Sequence, residues 1–277
     1  MRPGDLPDHP LPARDAKTNA AWRQIFEAAC APYRYDASIS SRWAWHWARG
    51  KLARDPVFRG LLERGDLLPG TRVVDIGCGQ GLVATLLHAC EQQAARGAWP
   101  ANWPTAPSFT AYHGIELMAQ DAARGNAALA ALHGTRRVAE IACSPSAEIT
   151  CGDMRDAPIP PCDLVVILDV LHYIDHAAQD ALLARMRRAM APHGRLLLRV
   201  SDPAQRSGFA VSQWVDWVVT TARGHRVPPT WTRSLAEWTA LLQGLGFGAV
   251  QRVPMSQGTP FANVLLVADL TGAAQWA

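Results

Sequence analysis

The chain has 277 residues, of which 49% are hydrophobic and 18% are charged, so it can bury a large core and a globally disordered protein is excluded. Its formal net charge of +3 is too small, and its basic residues are too dispersed, for a protein that binds nucleic acid. The six cysteines are widely spaced, which predicts neither a metal site nor a disulfide framework. Because no signal peptide and no run of about 18 apolar residues occur, we expect a reduced, cytoplasmic protein without a transmembrane segment.

The first 70 residues differ in pattern from the rest of the chain. Residues 1–16 carry prolines among charges, which predicts a flexible tail. Residues 17–70 contain three stretches of helical periodicity, which predict an N-terminal helical cap. Thr18 or Asn19 can cap the first helix, and Asp55 followed by Pro56 is typical of the start of the third.

From residue 71 to residue 277, short apolar runs that are typical of strands alternate with amphipathic helical stretches. Strands are expected at 72–76, 110–115, 147–151, 163–168, 195–200, 249–254 and 263–269, and helices at 83–90, 118–132, 175–190 and 235–245. This alternation predicts an α/β fold with a doubly wound, mostly parallel sheet. The last two strands have no helix between them, which predicts an antiparallel hairpin.

Two insertions are expected at opposite edges of this sheet. In a parallel sheet, the loops that leave the carboxyl ends of the strands build the site, and the loops that leave helices lie at the other edge. Residues 97–109 follow a helix and are expected to be structural. Residues 201–233 follow the fifth strand, and we expect them to form a lid over the site.

The first motif with chemical meaning lies at the end of the first strand. Asp75 precedes Gly77, Gly79 and Gly81, which form a G-x-G-x-G turn into a helix. Glycine has no Cβ, so the main chain can turn sharply and approach a ligand closely. Proteins that bind dinucleotides usually have G-x-G-x-x-G instead, and the third glycine is absent at that spacing.

Acidic residues end the next two strands, at positions where a nucleoside can lie across the sheet edge. Glu116 can accept hydrogen bonds from both hydroxyls of a ribose. Asp153 can accept one from an exocyclic adenine amine, and Met154 can pack on the adenine ring. The fourth strand is buried and runs into the segment Asp169–His172.

These four segments, in this order, resemble those of the class I S-adenosylmethionine-dependent methyltransferases. The resemblance covers about residues 71–269 and implies a seven-stranded Rossmann-like sheet whose last strand is antiparallel. It implies that S-adenosylmethionine is the cofactor and S-adenosylhomocysteine the product. By position, the resemblance assigns the loop glycines Gly77, Gly79 and Gly81 to the methionine portion of the cofactor and Asp75 to the order of that loop. It assigns Glu116, with its neighbour Leu117, to the ribose side, and Asp153 and Met154 to the adenine. It assigns the main chain near Leu168 and Asp169 to the methionine ammonium.

The cap segments Tyr33–Asp36 and Ala48–Leu52 are similar to those of small-molecule methyltransferases, including bacterial ones of aryl-polyene and polyketide pigment pathways. Arg49 is a candidate partner for the cofactor carboxylate, and a solvated helix arginine is the alternative. The acceptor is expected to be a small molecule, aromatic or polyketide-like, and a carrier protein could deliver it. The sequence does not define an oligomeric state.

His172, after the fourth strand, is the leading candidate for a general base, because histidine changes charge near neutral pH. The alternative is that His172 packs the following helix, and His46 and His225 are then the next candidates. Two other functions stay open at this point. One is a Rossmann-type NAD(P)-dependent oxidoreductase, and the other is a non-catalytic protein that binds S-adenosylmethionine.

Overall fold

Seven strands form one sheet in the order β3-β2-β1-β4-β5-β7-β6. The computed structural model describes residues 14–34, 39–134, 146–204, 231–255 and 261–271. The strands are β1 (Thr71–Ile76), β2 (Phe109–Glu116), β3 (Ser146–Cys151), β4 (Cys162–Leu168), β5 (Met190–Ser201), β6 (Gln251–Pro254) and β7 (Asn263–Asp269). Strands β1 to β5 pair in parallel, and β7 pairs antiparallel with both β5 and β6. The predicted doubly wound, Rossmann-like sheet with an antiparallel last strand is therefore confirmed.

Seven α-helices lie in the described part of the chain. They are α1 (Ala16–Cys30), α2 (Ile39–Arg54), α3 (Pro56–Arg64), α4 (Leu82–Ala95), α5 (Ala119–Gly134), α6 (His176–Ala189) and α7 (Leu235–Gly244). Asp55 caps α3 by accepting a hydrogen bond from the Val57 amide, as the Asp-Pro pair predicts. The first helix begins earlier than predicted, because Asp15 rather than Thr18 is its N-cap. None of the described helices is long and apolar enough to cross a membrane.

The apolar core lies on both faces of the sheet. On one face, α1, α2 and α3 of the cap pack with α4, so that Ile25, Leu52 and Leu86 belong to one buried cluster. On the other face, α6 and α7 cover the strands, and Leu182 and Trp238 belong to a second cluster. The cap is thus packed into the main core instead of standing apart from it.

The 97–109 insertion lies in the described part of the chain, and most of the 201–233 insertion does not. Trp103 is buried, and Trp99 donates a hydrogen bond from its indole nitrogen to the Pro104 carbonyl at 2.8 Å, so the 97–109 insertion is a packed structural segment. Residues 205–230 of the expected lid lie outside the described residues. So do residues 1–13 of the expected tail, whereas Arg14, at the end of that tail, pairs with Glu63 of α3 at 3.0 Å.

Candidate functional site

The glycine loop adopts a conformation that only glycine takes without strain. Gly77, Gly79 and Gly81 have φ values of 71°, 57° and 74°, all in the left-handed region. A Cβ on Gly77 would lie 2.4 Å from Val170 Cγ1, and one on Gly81 would lie 2.8 Å from Ile149 Cδ1. The loop therefore has both a backbone reason and a packing reason for its glycines.

Asp75 lies buried at the end of β1, beneath this loop. One of its carboxylate oxygens accepts a hydrogen bond from the Tyr112 hydroxyl at 2.7 Å. Burial raises the pKa of Asp75 to about 7, against the opposing effect of the Tyr112 hydrogen bond. Its contact with Tyr112 was not visible in the sequence, because Tyr112 points inward from the neighbouring strand. The expected role of Asp75 in ordering the loop stays a prediction.

Glu116 is the last residue of β2, and it joins the glycine loop to the second strand. Its Oε2 accepts a hydrogen bond from the Gly79 amide and its Oε1 accepts one from the Met118 amide, both at 2.8 Å. The side chain is buried but lies at the carboxyl edge of the sheet. Leu117, next to it, is 56% exposed, which is unusual for a large apolar residue and provides a surface on which a flat ligand can pack.

Asp153 lies in the loop after β3, beside the main chain of Glu116. The Gly152 amide donates to the Glu116 carbonyl at 2.9 Å, so the ends of β2 and β3 are held together. Arg155 pairs with Asp153 at 2.6 Å and lowers the pKa of Asp153 through that hydrogen bond. Asp153 is therefore a carboxylate acceptor at the position predicted for the adenine.

An arginine that sequence reasoning missed holds this loop in place. Arg185 of α6 donates hydrogen bonds to the carbonyls of Met154, Arg155 and Ala157. Met154, the predicted adenine contact, is half-buried in this loop. No signal in the sequence pairs an arginine in a distant helix with main-chain carbonyls.

Leu168 ends β4, and Asp169 follows it with φ 60°, the one non-glycine residue with positive φ in the described part of the chain. The Asp169 carboxylate accepts a 2.8 Å hydrogen bond from Nε of Arg199 on β5. Lys51 of the cap lies 3.8 Å from the same carboxylate. The Asp169 side chain thus pairs with cations, and its main chain occupies the strand end that the resemblance assigns to the cofactor ammonium.

His172 lies in a short 3-10 turn, Leu171–Tyr173, just beyond this strand end. Its ring is half-buried, and it packs on Tyr173 with 4.1 Å between the ring centroids. Its carbonyl accepts a hydrogen bond from the Trp231 amide at 2.9 Å, so the described end of the 201–233 insertion lies beside His172. Residues 205–230 of the expected lid are outside the described part of the chain.

The cap reaches the glycine loop through residues other than the predicted one. Tyr33 donates a hydrogen bond from its hydroxyl to the Gln80 carbonyl at 2.7 Å. Trp47 lies against Gly79, with 3.9 Å from its ring to the position of a Cβ there. Arg49, in contrast, pairs with Glu27 at 2.5 Å and lies over the ring of Trp45. That pair gives Arg49 a role within the cap, and its contact with a cofactor carboxylate stays a prediction.

Of the other two candidate bases, one lies in the described part of the chain. His46 is exposed on α2, where its ring contacts Trp45 with 4.7 Å between centroids. His225 lies outside the described residues. Among the three histidines, His172 alone is shown at the carboxyl edge of the sheet.

The residues at this edge fit the predicted cofactor. The left-handed glycines give close main-chain access, Glu116 and Asp153 give two carboxylate acceptors at adjacent strand ends, and Leu117 gives an apolar surface beside them. These groups suit the hydroxyls, the amine and the flat ring of a nucleoside that carries an amino-acid tail. The residues present would hold S-adenosylmethionine in the order in which their strands stand in the sheet.

Comparison with known proteins identifies the class. The model of a methyltransferase domain family matches residues 44–252. The chain therefore belongs to that family, and the predicted class of S-adenosylmethionine-dependent methyltransferases is confirmed. The family match does not favour the oxidoreductase alternative.

Individual relatives are more distant. The tetracenomycin polyketide synthesis 8-O-methyl transferase of Streptomyces glaucescens is 25% identical over 108 residues, which are 38% of this chain and 30% of that protein. The match therefore spans less than a third of that relative. The magnesium protoporphyrin IX methyltransferase of Synechocystis with bound S-adenosylhomocysteine superposes with a TM-score of 0.52 at 16% identity, covering 92% of this chain and 95% of that one. The mitomycin 7-O-methyltransferase gives a TM-score of 0.52 at 19% identity, covering 92% of this chain and 69% of that one. These structural likenesses establish the fold.

Proposed function

We propose that the protein transfers the methyl group of S-adenosylmethionine to a small, aromatic or polyketide-like acceptor. The observation that carries the proposal is the contact between Glu116 and the Gly79 amide. It joins the loop expected to hold the methionine portion to the acid expected to hold the ribose. Such a junction supports a nucleoside and its amino-acid tail lying next to each other along this edge of the sheet.

The chain's own residues have to align two reactants, because the sulfonium of the bound cofactor supplies a methyl group that is already activated. The acceptor atom forms a bond to the methyl carbon as the bond from carbon to sulfur breaks, and neutral S-adenosylhomocysteine leaves. Alignment of this kind lowers a barrier by up to about 7–11 kcal/mol in the best cases. The glycine loop and Glu116 fix the donor, and the cap and the 201–233 insertion enclose the acceptor.

His172 is proposed as the residue that receives the acceptor's proton, or that orients the acceptor through a hydrogen bond. A phenol or hydroxyl has to lose its proton on methylation, and a positioned histidine is the usual base near neutral pH. Support comes from its place beyond β4, under the main chain of Trp231. Arg49 is retained as a proposed partner of the cofactor carboxylate, on the condition that it leaves Glu27.

The small-molecule acceptor is supported by the named relatives, which act in tetracenomycin polyketide synthesis and on mitomycin. A bacterial secondary-metabolism role and a cytoplasmic location belong to the same proposal. An aromatic acceptor also suits Trp47, whose ring lies against Gly79 at the donor end. Delivery of the acceptor by an acidic carrier protein, docked on the arginines of the insertion, is an extension of this proposal.

Calorimetry with four ligands tests the function. We expect S-adenosylmethionine and S-adenosylhomocysteine to bind, NAD and NADP not to bind, and mass spectrometry to detect retained cofactor after purification. Tight NAD binding without a signal for S-adenosylmethionine would overturn the proposal. Incubation with a panel of phenolic polyketides and S-adenosylmethionine then separates an enzyme from a non-catalytic binding protein, because only an enzyme forms methylated products.

A further inference from the structure

A cluster of four charged residues, of which Arg199 is buried and the other three are half-buried, joins the cap to the sheet beside the site. Arg199 of β5 is 1% exposed, and it donates hydrogen bonds to the carboxylates of both Asp55 and Asp169. Lys51 completes the set, with its ammonium 2.9 Å from Asp55 and 3.8 Å from Asp169. These four residues, which we call the Arg199 cluster, come from α2, the start of α3, the end of β4, and β5.

The charges of the Arg199 cluster balance, with two cations against two carboxylates. A buried guanidinium is tolerated because each of its charged partners is present, and loss of one partner leaves an uncompensated buried charge. Burial opposes the ionisation of Asp55, but the charges of Arg199 and Lys51 outweigh burial and lower its pKa. Asp55 is therefore a carboxylate at neutral pH, beside the buried guanidinium of Arg199.

The Arg199 cluster acts on a strained piece of main chain. Asp169 is held on both sides, because its carboxylate pairs with Arg199 and its amide donates to the Arg199 carbonyl at 3.3 Å. Its φ of 60° is a conformation that costs a non-glycine residue free energy, although aspartate and asparagine tolerate it best. The side-chain pairing offsets this cost.

The strained turn touches the glycine loop. Val170 follows Asp169, and its Cγ1 lies 2.4 Å from the position that a Cβ on Gly77 would take. Val170 thus packs directly against Gly77, one residue after the left-handed Asp169. A continuous set of contacts leads from the cap, through Arg199 and Asp169, to the loop that would hold the methionine end of the cofactor.

The residue choice at position 51 agrees with this arrangement. The chain has 27 basic residues, and only Lys17 and Lys51 are lysines. An ammonium is a compact charge that can lie near two carboxylates, whereas a guanidinium is a planar fork that Arg199 already supplies. Lysine thus stands where a second planar group would compete with Arg199 for the same oxygens.

We propose that Lys51, Asp55 and Arg199 are positioning residues, which hold the Asp169 turn against Gly77 and so set the methionine end of the cofactor pocket. The inference rests on the proposed function. It assigns no contact with the reacting atoms to these three side chains. It predicts that a defect in the cluster is felt by ligands that carry the amino-acid tail and not by ligands that lack it.

Two variants test this proposal. Asp169→Asn keeps a side chain that tolerates a left-handed φ but removes the charge that pairs with Arg199. The double variant Lys51→Met/Asp169→Asn also removes one cation, so the charges around the buried Arg199 balance again. It keeps the proposal testable if the single variant folds poorly. Calorimetry measures the affinity of each for S-adenosylhomocysteine and for 5′-methylthioadenosine, which lacks the amino-acid tail.

We expect both variants to bind S-adenosylhomocysteine about tenfold more weakly, the loss typical of a weakened interaction with a charged group, and to bind 5′-methylthioadenosine as the wild type does. The melting temperature should fall in the single variant and recover in the double variant. Asp269→Asn is the matched control, because it breaks the pair that Arg195 makes from the other end of β5.

The proposal is overturned if the double variant regains both its melting temperature and its affinity for S-adenosylhomocysteine, since the cluster would then only stabilise the fold. Equal losses for both ligands would also overturn it. Failure of the wild type to bind S-adenosylhomocysteine is a different outcome, because it removes the proposed function itself.

Discussion

The two halves of the site's edge are built in different ways. At the ends of β1, β2 and β3, Glu116 accepts hydrogen bonds from main-chain amides and the loop glycines offer their backbone. At β4, β5 and the cap, side chains from distant segments pair with each other, as Arg199 does with Asp55 and Asp169. Contacts made through the main chain need particular residues at fixed positions after each strand, so they can be recognised in the sequence. Pairs of side chains from distant segments have no such spacing.

Deletion of residues 207–228 should give the largest effect, and it separates acceptor binding from cofactor binding. If this part of the insertion encloses the acceptor, its removal should abolish turnover and leave cofactor affinity within a few fold. Methyl transfer and calorimetry on the same preparation measure both. Retained turnover would show that the insertion is scaffold and that the acceptor lies elsewhere.

Gly77→Ala should remove cofactor binding beyond calorimetric detection. A Cβ there overlaps Val170, and alanine adds the cost of a left-handed φ of about 1–2 kcal/mol. Gly70→Ala is the matched control, because Gly70 also has a positive φ, 67°, but has nothing within 4 Å of a Cβ. Equal cofactor affinity in the two variants would contradict a donor site at this loop.

His172→Ala should lower the rate roughly 10²–10⁴-fold and leave cofactor affinity unchanged, if His172 is the base. Rates of methyl transfer and dissociation constants for S-adenosylhomocysteine, measured on the same preparation of each protein, check both parts. His193→Ala, at an exposed position of β5, serves as the control. A variant that melts at lower temperature but whose folded fraction turns over normally would make His172 structural.

Glu116→Ala should weaken cofactor affinity by about 1.5–3 kcal/mol, the usual range for hydrogen bonds to a charged group. Because Glu116 also accepts from the Gly79 and Met118 amides, a loss of stability should accompany it. Glu148→Ala is the comparison, since that side chain is 72% exposed on β3. An unchanged dissociation constant in folded Glu116→Ala would place the ribose contact elsewhere.

Asp75→Asn should change how the free energy of unfolding depends on pH. The pKa of Asp75 is raised to about 7 in the folded protein, so its stabilising contribution is fully present below its ordinary pKa and is lost as pH rises towards 7. We expect the variant to flatten that fall, by on the order of 1–2 kcal/mol between pH 5 and pH 7. Asp163→Asn should act with opposite sign and at lower pH, because Arg72 lowers the pKa of Asp163 and its contribution is lost only as pH falls below the ordinary value of that carboxyl. Chemical denaturation from acid pH to pH 7 measures both, and an Asp75→Asn profile parallel to the wild type would contradict the shift.

The same contrast explains how much the sequence could predict. The strands, and the positions of Gly77 and Glu116 at strand ends, followed from hydrophobic runs that end in glycines or acids, and Asp55 with Pro56 correctly marked the start of α3. Strand β5 begins at Met190, earlier than predicted, because Met190 pairs with Cys162 ahead of a register shift. Arg49 illustrates the limit, since its neighbours in sequence do not show that Glu27 of α1 lies within reach. Contacts between distant segments, such as Tyr33 with Gln80, depend on the folded packing alone.

The hydrogen bond from Tyr33 to the Gln80 carbonyl has a consequence for protein engineering. Caps are the natural parts to exchange between related methyltransferases when a new acceptor is wanted. Here the cap also supplies a donor to the loop that would carry the cofactor, so a chimaera made at residue 70 would change both ends of the reaction at once. A graft that keeps Tyr33 and Trp47 and replaces only the residues around them would preserve the donor end while the acceptor end is redesigned.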